Sequence, residues 1–131
     1  MRYVKRRRAG KKPKFVELST TFPVFSNFKV SIFFSPEIRQ TAFWVADRDY
    51  TGDHESTETA EAFTVSGHGF SNIYFNPNAR PGIIAHEAYH AVTNLLKMVD
   101  AQEEHEVVAY HLGYLVDLVI KFQEKTKGRF K

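Results

Sequence analysis

A chain of 131 residues holds one domain comfortably, because two would each be too small to close a core, and its twelve phenylalanines supply large side chains to fill one. The absence of cysteine excludes a disulfide framework, thiolate zinc sites and a cysteine nucleophile. Formal net charge is +3, yet Arg2, Lys5, Arg6, Arg7, Arg8, Lys11, Lys12 and Lys14 place eight positive charges and no acid in the first fourteen residues, so the remaining chain carries −5.

In chain order, residues 1–14 read as a basic flexible arm suited to nucleic acid or another anionic partner through counterion release, and 15–131 as a single domain. The arm lacks the apolar stretch of a signal peptide and no run reaches transmembrane length. The expectation is therefore a soluble, cytoplasmic protein without a membrane span. Phe15–Leu18 and Phe28–Ile32 alternate with period two and Phe43-Trp44-Val45 is a β-prone run, so all three are expected to be strands. Asp49–Glu61 is rich in Thr, Asp, Glu and Ser and reads as a loop. Ala62–Val65 and Asn72–Asn76 are further strands around a Gly67-His68-Gly69 turn. Pro81 then opens a helix to about Lys97, with Ile84, Ala88, Ala91, Val92 and Leu95 on its apolar face. Asp100 and Glu103 have capping-box spacing for a second helix ending near Phe122. The expected fold is α+β, a small twisted sheet followed by two packed helices.

The first of those helices carries His86-Glu87-Ala88-Tyr89-His90. Histidines four residues apart lie on one side of a helix, one turn apart, so both imidazoles can reach one metal ion. The pair lies off the apolar stripe and is expected to face a cleft. Glu87 points in a neighbouring direction, where a carboxylate can act as general base toward water on a zinc ion. A third protein ligand is expected from the second helix, where Glu103, Glu106, Tyr110, Gly113 and Asp117 share a stripe. Glu103 is used by the capping box, which leaves Glu106. Gly113 on that stripe suggests close approach of the two helices. Asp117 is a candidate to hold a ligand imidazole, and Tyr110 or His68 to stabilise an oxyanion.

With those residues in place, the chain resembles the zincin metallopeptidases, in a minimal gluzincin-like form, from about Ile73 to Gly113. In gluzincins the helix with two histidines is followed by a helix donating Glu within Glu-x-x-Ala and a polar residue, and Glu106-Val107-Val108-Ala109-Tyr110 has that form. Ile84–Ala91 followed by Glu106–Tyr114 also resembles small metallopeptidases encoded by phages and mobile elements, which implies a location in a host cytoplasm or a virion. The resemblance implies zinc on His86, His90 and Glu106, Glu87 as base, Tyr110 as a catalytic candidate, a peptide or protein substrate, and a sheet edge at Asn72–Phe75 that takes the peptide by strand addition. The spacing from His90 to Glu106 is short and no helical C-terminal subdomain follows. A different reading of the same residues is an inert metal-binding module that docks to nucleic acid or a virion component through its basic arm.

Overall fold

A computed structural model describes residues 11–23, 25–49, 56–58, 61–100 and 104–130. Five strands form one mixed sheet in the order β1-β2-β5-β4-β3, where β1 is Val16–Thr21, β2 Lys29–Phe34, β3 Ser56–Glu58, β4 Ala62–Gly67 and β5 Phe70–Phe75. Only β2 and β5 pair in parallel; the other three pairings are antiparallel. Helix α1, Ile38–Asp49, follows β2, and helices α2, Pro81–Met98, and α3, His105–Thr126, follow β5. A short 3-10 turn, Lys127–Phe130, ends the described chain. An α+β fold is thus observed.

Strand alternation divides the sheet into two faces. Val30, Ile32, Phe34, Ile73 and Phe75 pack with Ile84, Ala88, Ala91, Val92 and Leu95 of α2 and with Leu115 and Val119 of α3. The alternate residues Phe33, Tyr74 and Phe63 lie side by side on β2, β5 and β4 and stack in sequence, with ring centroids 4.7 and 5.1 Å apart. Val45 of α1 packs on this ladder. Arg48 ties α1 to β1 through two contacts with Glu17, at 2.9 and 3.0 Å.

Several local expectations are corrected. Phe43-Trp44-Val45 is helical, since Thr41 and Val45, one turn apart, are the buried positions of α1 and Phe43 points outward. The expected loop contains the short strand β3. Asn72–Phe75 belongs to an interior strand, with β2 on one side and β4 on the other, so its backbone has no free edge for a peptide. Asp100 does not open the second helix; with φ of 56° and its N–H donating to Lys97 O, it closes α2 in the left-handed conformation that ends many helices. Glu103 lies outside the described residues. The turn at His68-Gly69 is as expected, with Gly69 at φ +82°.

Residues 1–10 of the arm also lie outside the description, but Lys11–Lys14 are part of the body. Lys12 stands over the rings of Phe15 and Trp44, Lys14 over that of Phe130, and Lys14 O accepts a 2.7 Å hydrogen bond from Ser35 Oγ. No described helix is long and apolar enough to cross a membrane.

Candidate metal centre on helix α2

Helix α2 forms because a proline sets its first turn and an apolar residue returns every third or fourth position. Burying Ile84, Ala88, Ala91 and Leu95 leaves His86 with more than half its side chain exposed and His90 half-buried. Their Nε2 atoms are 3.3 Å apart and the rings meet edge to face at 77°. A direct imidazole hydrogen bond favours about 2.9–3.0 Å. Two nitrogens bound about 2.0–2.1 Å from one tetrahedral zinc ion would lie about 3.3–3.4 Å apart. The observed separation is at the long end for a hydrogen bond and is compatible with either arrangement.

Glu87 lies at the edge of the apolar stripe, facing the sheet, and is wholly buried. Its Oε1 accepts a 2.7 Å hydrogen bond from Thr64 Oγ1, which is also 3.3 Å from Glu87 O. Its Oε2 is buried without a hydrogen-bond partner and lies 3.9 Å from His86 Nε2. A carboxylate oxygen in that condition carries a desolvation cost that a proton donor or a cation beside it would relieve. The unpartnered oxygen thus lies near His86, whose ring in turn meets that of His90.

The other expected members are placed elsewhere. Among the described residues no group of three or more His, Asp or Glu is arranged to hold a metal. Glu106 is exposed in the first turn of α3, nine residues before the buried Leu115 and therefore on the opposite side of the helix. Tyr110 is exposed as well, its ring edge-on to His111. Asp117 lies on the same outer face, and His68 is exposed in the β4–β5 turn. A Cβ at Gly113 would meet nothing within 4 Å, so the glycine does not mark a close helix crossing. The stripe of Glu106, Tyr110, Gly113 and Asp117 is the solvent face of α3, because Val108, His111, Leu115 and Val119 take the inner one.

Comparison with protein-family models, with curated proteins and with solved structures returned no match. Geometry and chemistry therefore carry the reading of the site.

Thr64 escaped the sequence reading, and His111, which has no partner pattern in the sequence, is expected to be an ordinary surface or satisfied histidine. Thr64 is a polar residue on the inward register of β4, between Ala62 and Ser66, and that anomaly was the available signal for a buried polar partner. His111 is 2% exposed; its Nδ1 donates to Val107 O at 2.8 Å while Nε2 has no partner. Phe22 and Phe25 surround its ring, at centroid distances of 5.4 and 5.3 Å. It fills an aromatic niche in the core between α3 and the β1–β2 loop.

Proposed function

We propose that the protein is a zinc-dependent hydrolase, with peptide hydrolysis as its reaction. The observation that carries this reading is the pair of imidazole nitrogens 3.3 Å apart, with the unpartnered, buried Oε2 of Glu87 3.9 Å from His86 Nε2. Zinc in such a site supplies Lewis acidity, polarising a carbonyl and making water a competent nucleophile near neutral pH. His86 and His90 would hold it through Nε2. Glu87 takes the proton of the attacking water at Oε2 and returns it to the leaving amine nitrogen. Thr64 holds the other carboxylate oxygen, so the base keeps one orientation through both transfers. Glu106 is the third ligand in this proposal. Its carboxylate stands on the outer face of α3, so this ligation requires the first turn to re-form, with no side-chain capping bond at Glu104 to break.

Metal analysis joined to cleavage of a mixed peptide library tests the reading. Wild type is expected to hold one equivalent of zinc, His86→Ala and His90→Ala to lose it, and Glu106→Gln to weaken it. Glu87→Gln is expected to keep the metal and lose cleavage. Metal without cleavage by wild type would make the chain an inert metal-binding module; no stoichiometric metal would sink both readings.

A further inference from the structure

The parallel strands β2 and β5 send the chain to opposite faces of the sheet: β2 leads into α1, and β5 into α2. Where neighbouring parallel strands diverge in this way, a crevice opens beyond their carboxyl ends, and in open sheets this is where ligands bind. A cleft of about 340 Å³ occupies that position. Pro36 follows β2, Asn76, Pro77 and Asn78 follow β5, and Lys127 and Phe130 close the cleft from the C-terminal turn.

Its walls are fixed before any ligand arrives. Gln123 Nε2 donates to Pro77 O and Ala79 O at 3.1 and 2.9 Å, holding the loop after β5. Ser35 Oγ donates to Lys14 O and also accepts from Glu37 N–H at 2.9 Å, so the last residue of the basic arm is pinned where β2 ends. Lys14 thereby stands over Phe130, with Nζ 5.7 Å from the ring centre.

This contact joins the two most basic segments of the chain. Residues 1–14 hold eight Lys and Arg and residues 125–131 hold four, with no acid in either; against a whole-chain +3, everything between carries −9. Lys14, Lys127 and Arg129 are exposed. The cleft beside them offers an aromatic wall and two asparagines, side chains that pair with base edges. Among the described residues the exposed large apolar side chains, Phe43, Tyr89, Met98, Val99 and Tyr110, lie on the helices or at the end of α2 and outside these segments, so the described part of the basic pole lacks the protruding apolar residues that would seat it in a lipid surface.

We propose that the cleft between the ends of β2 and β5 binds single-stranded nucleic acid, with a base against Phe130 and phosphates on Lys14, Lys127 and Arg129. This site is separate from the histidine pair and independent of the metal reading. Aromatic stacking with cations tracking the backbone is how unpaired strands are held without strict sequence preference.

The test is fluorescence anisotropy of the full-length protein with labelled dT20 and rU20 over a range of salt concentrations, with vesicles of phosphatidylserine and phosphatidylcholine as a second probe. Each phosphate contact contributes a salt slope of about 0.7 on single strands, so the triple variant Lys14→Gln, Lys127→Gln, Arg129→Gln is expected to lower the slope by about 2. Phe130→Leu keeps apolar volume but removes the aromatic face, and is expected to weaken binding about tenfold at an unchanged slope. Circular dichroism is expected to show both variants folded. A Phe130→Leu protein that binds like wild type, a slope unchanged in the triple variant, or binding to vesicles without binding to either oligonucleotide would overturn the proposal.

Discussion

Glu87 is an ionisable group in a core position, and Thr64 is its one hydrogen-bond donor among the described residues. Thr64→Val keeps the shape and removes that donor, leaving both carboxylate oxygens unpaired. We expect a stability loss of about 2–3 kcal/mol in urea unfolding, and less than about 1 kcal/mol for Thr64→Ser, which keeps the hydroxyl. Equal losses for the two would show that Thr64 acts by packing alone. The histidine spacing was legible in the sequence because a helix turns in a known period, and the off-stripe position of the pair followed from the same period. Thr64 was not, because strand pairing between distant segments decides what a strand residue meets. Tyr74 supplies a second residue-scale expectation. Burial between Phe33 and Phe63 holds its phenol well above the usual tyrosine pKa. The folded state therefore prefers the neutral phenol, while the unfolded chain ionises at about 10. This contribution is complete below about pH 10 and is lost as pH rises further toward the folded-state value. Urea titrations at pH 8 and pH 11 should show a steeper alkaline loss for wild type than for Tyr74→Phe.

Between the elements, the lesson concerns faces. Helix α2 was legible almost to its ends because its proline and its apolar repeat agree, and the structure runs from Pro81 to Met98. Helix α1 was misread because Phe, Trp and Val side by side favour a strand by propensity, whereas burial of Thr41 and Val45 against the sheet decides for a helix. Its start signal was present in Ser35-Pro36-Glu37, where Ser35 Oγ accepts the Glu37 N–H and the Thr41 hydroxyl. The sequence predicts helix α3 but places its polar stripe inward, whereas the stripe is the outer one, since both faces of a helix repeat with the same period and only packing chooses between them. Gly113 makes this testable. With open space around it, Gly113→Ala is expected to stabilise the metal-free protein by about 0.5–1 kcal/mol through helix propensity. A loss of stability in the thermal or urea midpoint would mean that the glycine faces α2 after all.

For the whole molecule, charge is divided along the chain: Lys14 of the basic N-terminal segment stands over Phe130 of the basic C-terminal segment, and all the acidic residues fall between the two segments in sequence. Such a molecule attracts copies of itself end to body when ions do not screen it. Static light scattering should show attraction between molecules at about 10 mM salt that disappears by about 150 mM, where the screening length falls to about 8 Å. Insensitivity to salt would mean that the charges do not act as two poles.

The contact of Lys12 with Trp44 has an optical consequence. Trp44 is the sole tryptophan, and cations from both Lys12 and Arg48 stand over its indole, at 5.4 and 5.7 Å. Its emission therefore reports on the place where the arm joins the body, from the side of the sheet opposite the histidine pair. A polyanion that draws Lys12 away should shift the spectrum, while zinc added at the histidines should leave it unchanged. The chain thus carries an intrinsic fluorophore that can distinguish events at its two proposed sites without any label.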